Sequence, residues 1–249
     1  MASCDQMPQS RDWQAFAAEL SVPPHTFTSL RLFRDLILRA NRRFNLTALN
    51  TLVDVDNRLI LDSLRLWSSV KAHTPEGGGS LNLVDIGSGS GIPGIPIAIA
   101  APEWRVTMIE ATGKKAEFIS SAIEALQLEH ATVIHGRSED FARASEYRSH
   151  FDVALARAVG PLATLMELTM PLLRTGGRAF FPKGEIEHDE LEMGKTAAKL
   201  VGGHIVEVVP ARPIALCPVT VVVIADKLSA TPDRFPRRAG IPAKVPLRG

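Results

Sequence analysis

A run of apolar residues that enters three alternating glycines constrains the fold of this chain more than any other feature. The run 81–86 is followed by Gly87, Gly89 and Gly91, and an apolar segment resumes at Ile92. This order predicts a β-strand, a tight loop and a helix. Because glycine lacks a Cβ and adopts positive φ, such a loop lets a ligand lie directly against backbone N–H groups. The sequence therefore predicts a site for a nucleotide-like ligand.

Two classes of cofactor use a loop of this kind. Gly89, Gly91 and Gly94 satisfy the dinucleotide-binding pattern G-x-G-x-x-G, and Glu110 lies about 20 residues on, where a ribose-binding acid belongs. From Asp85 the loop also reads D-x-G-x-G-x-G, as in S-adenosylmethionine-dependent methyltransferases. A carboxylate here is unfavourable beside a pyrophosphate but favourable beside the cationic amino group of S-adenosylmethionine. The residues favour a methyltransferase and leave a nicotinamide-dependent oxidoreductase as an alternative.

Composition limits the function classes further. The 249 residues are 45% hydrophobic, which is enough for a substantial core. No apolar run approaches the roughly 20 residues that span a bilayer, and the first residues are polar, so we expect a cytoplasmic protein without membrane contact. Cys4 and Cys217 lack a metal-ligand spacing, and the acidic stretch 185–190 reads as solvated surface, so we predict no metal. The absence of a coiled-coil seam in the sequence favours a monomer.

The pattern along the chain divides it into three parts. Apolar spacings of three and four predict an amphipathic helix over 26–44, and a second helix is predicted over 53–70, so residues 1–80 are expected to form a helical cap that ends in the glycine-rich break 77–80. Residues 81–228 alternate strands with helices and are expected to form the methyltransferase domain. Residues 229–249 form a basic, proline-rich tail. The predicted strands are 81–86, 105–110, 131–135, 151–156, 177–182, 204–209 and 219–225, and the predicted helices between them are 94–101, 113–127, 161–173 and 186–201.

These elements define an α/β fold class. The last two strands are separated by Pro210 to Pro218 without a helix, so they are expected to pair as an antiparallel hairpin at the sheet edge. A mostly parallel sheet of seven strands with one reversed strand resembles the Rossmann-like fold of class I S-adenosylmethionine-dependent methyltransferases. Ligands bind at the carboxyl ends of strands in such sheets. Gly87, Glu110, the turn 136–140 and Arg157 are therefore expected along one rim.

The charge distribution suggests an anionic macromolecular partner. The tail carries five cations against the single acid Asp233, and its prolines predict an extended or irregular chain whose guanidinium groups are presented to phosphate. Arg39, Arg42 and Arg43 form a second basic cluster at the end of the first helix. A non-catalytic RNA- or ribosome-binding protein with the same fold is thus a further alternative to an enzyme.

Several short motifs together resemble one family. They occur in the family's order from about residue 40 onward, and they are Asn45-Leu46-Thr47-Ala48, Leu61-Asp62-Ser63, the loop from Asp85 to Pro96, Gly113-Lys114-Lys115, Arg157-Ala158, Pro182-Lys183-Gly184 and the segment 235–247. The chain resembles the bacterial small-subunit ribosomal RNA guanine-N7 methyltransferases, also called the glucose-inhibited division protein B family. The combination of motifs is far more specific than the glycine loop alone.

This resemblance implies transfer of a methyl group from S-adenosylmethionine to N7 of a single guanine, guanine 527 in RNA numbering, in the 16S rRNA of the small ribosomal subunit. Guanine N7 carries a lone pair and no proton, so we expect no catalytic base. Arg157 and Lys183 each follow a strand on the rim and are predicted to act in catalysis by contacting RNA phosphate or the guanine edge. The predicted cofactor-binding residues, from the loop and the resemblance together, are Asp85, Gly87, Gly89, Ile92, Glu110, Ser138, Glu139 and Arg157.

Overall fold

A seven-stranded sheet organises the chain, which the computed structural model describes over residues 10–74, 79–214 and 217–248. The strand order is β3-β2-β1-β4-β5-β7-β6. The strands are β1 (Asn82–Ile86), β2 (Arg105–Glu110), β3 (Ala131–His135), β4 (Phe151–Ala156), β5 (Leu173–Lys183), β6 (Gly203–Pro210) and β7 (Val221–Lys227). The α-helices are α1 (Ser10–Glu19), α2 (Thr26–Asn41), α3 (Leu52–Val55), α4 (Asp62–Ala72), α5 (Gly94–Ala100), α6 (Gly113–Ala125), α7 (Ser138–Phe141), α8 (Leu162–Thr169), α9 (His188–Leu200) and α10 (Ile241–Lys244).

The sheet topology confirms the predicted fold class. β1 to β5 are parallel to one another, whereas β7 runs antiparallel to both β5 and β6. Chain order reverses between β1 and β4, which places a topological switch point at the carboxyl end of β1. Ligands of open α/β sheets bind at such a point.

Two adjacent predicted boundaries, between α8 and β5, are wrong. The helix predicted over 161–173 ends at Thr169, and the strand predicted from residue 177 already begins at Leu173. Phe151 pairs with Leu173 but Val153 pairs with Arg178, so the start of β5 contains a bulge. Sequence periodicity does not reveal a bulge, because the extra residues interrupt the alternation of buried and exposed positions.

The N-terminal helices also differ from the prediction in detail. Residues 10–19, to which the sequence assigned no element, form α1. The helix predicted over 53–70 is observed as α3, a π-helical segment (Asp56–Leu61) and α4 in succession. π-Helical turns are rare and are frequent at functional sites. The predicted glycine-rich break at 77–80 lies partly outside the described residues, which omit 75–78.

Each face of the sheet has its own core. On one face, Phe33 of α2 and Trp67 of α4 pack in the same cluster as Leu83 and Phe180 of the sheet. The helical cap therefore shares a hydrophobic core with the strands. On the other face, α8 and α9 cover a cluster that also includes Phe235 from the C-terminal segment. No helix among the described residues is long and apolar enough to cross a membrane.

The C-terminal segment is folded against the sheet domain, which corrects the prediction of an extended tail presenting all its guanidinium groups. Arg237 forms a two-pronged ion pair with Glu167, which is completely buried in α8. Phe235 and Leu247 are buried in the second core. Because Glu167 is shielded from water, its charge requires a partner, and Arg237 supplies it.

Candidate functional site

The glycine loop leaves the carboxyl end of β1 in a conformation that requires glycine. Gly87, Gly89 and Gly91 have φ values of 69°, 59° and 79°, in the left-handed region. A Cβ at Gly87 would lie 2.8 Å from Cγ2 of Val159. The Gly87 N–H donates to the carbonyl of Ile109 at 2.8 Å and so fixes the loop to β2. The glycines are thus set by backbone geometry and by close packing.

Asp85 supports this loop from within the protein. Its side chain is completely buried, and Oδ2 accepts the backbone N–H of Gly94 at 3.0 Å. Oδ1 is buried without a hydrogen-bond partner among the described residues. Burial raises the pKa of Asp85 to about 7, against the lowering effects of the hydrogen bonds and of nearby Arg157. Asp85 is not among the residues that line the cavity at this edge of the sheet, so direct contact between Asp85 and a cofactor stays a prediction.

Glu110 connects the loop to the end of β2. Its Oε2 accepts the N–H of Gly89 at 2.8 Å, and its Oε1 accepts the N–H of Thr112 at 2.7 Å. Each carboxylate oxygen has two lone pairs, so both retain the capacity to accept a hydroxyl hydrogen bond from a ribose. The side chain is only 6% exposed. The carboxylate is therefore oriented before any ligand arrives.

A cavity of about 140 Å³ lies at this edge of the sheet. Three of the predicted cofactor-binding residues line this cavity, namely Gly87, Ser138 and Glu139. Its wall is completed by Ile86, Ile109, Ala111, Gly136, Arg137, Val159, Thr164, Leu168, Gly240 and Ala243. Apolar groups and backbone at the ends of four parallel strands, with a few polar groups, fit an adenosyl group better than a charged phosphate chain.

Arg157 follows β4 and contacts the helical cap. Its guanidinium lies 3.1 Å from Oδ2 of Asp62 and donates to the carbonyl of Arg58 at 2.5 Å. Asp62 is 2% exposed and also pairs with Arg65, which is 5% exposed. Two guanidinium groups thus share one buried carboxylate between cap and sheet. The pairing leaves a net positive charge beside the rim.

Lys183 lies at the end of β5 and holds the loop after β4. Its Nζ is 2.7 Å from Oε1 of Glu190 and donates to the carbonyl of Gly160 at 3.1 Å. Glu190 also accepts the backbone N–H of Leu162. The interpretation of residues 185–190 as solvated surface is therefore wrong for Glu190, since its carboxylate binds both Lys183 at the end of β5 and the first N–H of α8. Among the described residues, no three potential ligand side chains come together as a metal site would require.

Sequence reasoning did not assign a role to two buried acids that organise the site. Asp62 was noted only as part of a motif, and Glu167 was not singled out. Glu167 is the one charged residue in the α8 sequence LATLMELT, whose other residues are apolar or threonine. A lone carboxylate inside an apolar helix predicts a buried ion pair, and this signal could have identified it.

Two of the three arginines of the predicted basic cluster at the end of α2 line an open groove. Arg39 and Arg43 line a space of about 630 Å³ together with Lys114 of α6. Phe44, Phe118 and one acid, Glu117, also line it. Within the described parts of the chain, no ion pair joins these three cations to an acid. Free cations beside aromatic rings suit a nucleic acid, whose phosphates and bases they engage together.

Comparison with known sequences adds a family to this geometry. The family model described as rRNA small subunit methyltransferase G matches residues 26–213. The chain is 40% identical to the ribosomal RNA small subunit methyltransferase G of Chloroflexus aggregans over 226 residues, which cover 90% of this chain and 91% of that protein. It is 33% identical to the protein of the same name from Leuconostoc citreum, over 94% of this chain and 98% of that protein.

Solved structures are similar in fold. One from Methanococcus maripaludis, described as an S-adenosyl-L-methionine-dependent methyltransferase, is 14% identical with a TM-score of 0.52, over 71% of this chain and 90% of that chain. Geranyl diphosphate C-methyltransferase from Streptomyces coelicolor is 14% identical with a TM-score of 0.50, over 68% of this chain and 80% of that chain. At these identities the likeness concerns the fold alone.

Proposed function

Because this chain belongs to the rRNA small subunit methyltransferase G family, we propose that it methylates N7 of a single guanine, guanine 527 in RNA numbering, in 16S rRNA, with S-adenosyl-L-methionine as methyl donor. The chain is a small-subunit rRNA methyltransferase, so the alternatives of a nicotinamide-dependent oxidoreductase and of a non-catalytic binding protein are wrong. We further propose that it acts as a cytoplasmic monomer on the small ribosomal subunit.

The observation that carries the proposal is the glycine loop beside Glu110 at the β1 switch point. Positive φ at Gly87 and the absence of a Cβ leave the backbone open toward the cavity. Glu110 offers carboxylate oxygens for the ribose hydroxyls, and Ser138 and Glu139 line the adjoining wall. These residues fit S-adenosyl-L-methionine, which when bound supplies an electrophilic methyl group on a sulfonium.

In this proposal the residues around the site position the RNA and stabilise charge. Guanine N7 needs no deprotonation, so the chemistry requires alignment of the base and tolerance of charge rather than a general base. Lys183 fixes the loop after β4 through the carbonyl of Gly160, and Asp62 fixes Arg157. We propose that these two cations contact the RNA at the rim, where a phosphate or the guanine edge approaches.

The groove between α2 and α6 supports an extended RNA contact. Arg39, Arg43 and Lys114 place three positive charges on one surface against the single carboxylate of Glu117, and counterion release from phosphates would favour binding there. We propose that this groove holds rRNA flanking the target guanine. This proposed RNA contact does not involve Arg237 of the C-terminal segment, because that cation is paired with Glu167.

Transfer of a labelled methyl group tests the proposed function. Small ribosomal subunits from a strain that lacks the modification serve as substrate, with large subunits from the same strain as the matched control. We expect label from S-adenosyl-L-methionine only in 16S rRNA. Label in the large-subunit RNA, or no transfer although the donor binds, would contradict the proposal.

A further inference from the structure

The cofactor cavity is partly built by a segment far away in sequence. Gly240 and Ala243 line the cavity together with Gly87 and Glu139. They belong to residues 235–247, which we name the C-terminal strap. The family model matches the chain only as far as residue 213, whereas the strap is the C-terminal motif that resembles the family in sequence. None of the strap residues was predicted to bind the cofactor.

Buried polar contacts fix the strap on α8. Glu167, which is 0% exposed, accepts the backbone N–H of Arg237 at 2.7 Å in addition to its guanidinium. The hydroxyl of Thr164, also completely buried, donates to the carbonyl of Pro242 at 2.9 Å. Hydrogen bonds to a buried carboxylate are among the stronger ones in proteins. The strap is therefore an ordered part of the domain rather than a solvated tail.

Glu139 links the strap directly to the cavity. This residue is 5% exposed and lines the cavity, and its Oε1 accepts the backbone N–H of Gly240 at 2.8 Å. Gly240 has a φ of 81°, which turns the chain into α10 and brings Ala243 to the cavity mouth. One side chain thus couples the turn after β3 to the strap.

We propose that the C-terminal strap is a component of the S-adenosyl-L-methionine site, in which Gly240 and Ala243 form a wall against the bound donor and Glu139 holds that wall in place. This inference rests on the proposed function in assuming that the cavity receives the donor. Because a donor in this cavity would contact Gly240 and Ala243 as well as Gly87, donor affinity and strap order are expected to depend on each other.

Enlarging the wall residue tests the proposal without disturbing the strap's anchors. Ala243 is exposed at the mouth, so Ala243→Leu adds volume there rather than in a packed core. Ala230→Leu is the matched control, since Ala230 is also exposed in the C-terminal region but does not line the cavity. Calorimetric titration of each full-length protein with S-adenosyl-L-methionine gives the affinities, and circular dichroism checks that each is folded.

We expect Ala243→Leu to weaken donor binding about tenfold or more, because the larger side chain occupies space at the cavity mouth beside the donor, and Ala230→Leu to bind like the unsubstituted protein. Equal affinity of Ala243→Leu and the unsubstituted protein would overturn the strap proposal alone. No binding by the unsubstituted protein would instead overturn the proposed function, so the two failures are distinguishable.

Limited trypsin digestion provides a second readout independent of activity. Arg238 is exposed within the strap and precedes Ala239, so trypsin can cleave there when the strap opens. We expect saturating S-adenosyl-L-methionine to slow this cleavage severalfold in the unsubstituted protein and less in Glu139→Ala, which loses the acceptor for Gly240. Equal cleavage rates with and without the donor in the unsubstituted protein would overturn the proposal.

Discussion

The guanidinium of Arg157 lies 3.1 Å from the buried carboxylate of Asp62, and this ion pair joins the rim of the sheet to the helical cap. Asp62 begins α4 directly after the π-helical segment, while Arg157 directly follows β4. The pair connects two elements that are 95 residues apart in sequence (157 minus 62). It means that the orientation of a predicted catalytic residue depends on how the cap packs.

Removing the shared carboxylate is expected to destabilise the protein. Asp62→Asn leaves Arg65 and Arg157 without their common anion, and loss of one partner from a buried ion pair costs about 3 kcal/mol. Urea unfolding measures the change. Glu192→Gln, which removes the exposed pair with Lys195, is the control and should shift the midpoint little. Equal stability of Asp62→Asn and the unsubstituted protein would show that the pair contributes nothing to the fold.

A side chain at Gly87 is expected to close the loop toward the ligand. Gly87→Ala places a Cβ near Val159 and strains a left-handed φ, so we predict a loss of donor affinity of about tenfold or more. Val159→Ala in the same protein should restore part of the affinity by removing the close contact. Gly79→Ala is the control, because nothing lies within 4 Å of a Cβ there. Calorimetry of the donor distinguishes these cases, and unchanged binding by Gly87→Ala would refute our placement of the loop.

Asp85 should make stability depend on pH in one defined window. Its pKa is about 7 in the folded protein, above the ordinary value of about 4 in the unfolded chain, so the folded state binds more protons between these values. Stability contributed by the protonated carboxyl is present at about pH 4 and is lost as the pH rises toward 7. The stability of Asp85→Asn relative to the unsubstituted protein should therefore increase across this window and then level off.

Urea unfolding at several pH values measures this difference. The fully exposed Asp233→Asn serves as the control, because its carboxylate remains in water in the folded protein. If the curve for Asp85→Asn runs parallel to that of the unsubstituted protein from pH 4 to 8, burial does not raise the pKa of Asp85 as described.

Lys183 is expected to affect use of the RNA more than binding of the donor. Lys183→Gln removes the charge at the end of β5 while leaving the cavity lining intact, so we predict an increase in KM for small subunits of about tenfold, the equivalent of one charge-assisted hydrogen bond. Donor affinity should change little. Lys195→Gln in α9, which removes an exposed lysine of another pair, is the matched control. A purely structural role would instead lower donor affinity and stability together.

The local pattern was sufficient to predict the sheet and the loop. Alternation of apolar runs with helices identified all seven strands, and the antiparallel position of β7 followed from the absence of a helix before it. The glycines indicated the ligand-binding edge because their conformation is a property of the local backbone. These features depend on residues close together in the chain.

The contacts that complete the site are not local. Arg237 and Glu167 are 70 residues apart, and the tail's cations and prolines alone indicated an extended segment that presents its guanidinium groups to phosphate. Its attachment depends on a buried acid in α8 and on the apolar residues Phe235 and Leu247, whose partners only the folded sheet brings near. The π-helical turn before Asp62 likewise has no distinct periodicity over six residues.

The most direct test of the central claim is the modification state of 16S rRNA in cells that lack the gene for this protein. We predict that N7-methylguanosine disappears at guanine 527 alone, as mapped by mass spectrometry of RNase fragments, and returns when the unsubstituted gene is supplied but not when Gly87→Ala is supplied at equal abundance. Persistence of the methyl group at that guanine in the deletion strain, or its loss from a different nucleotide, would contradict the account.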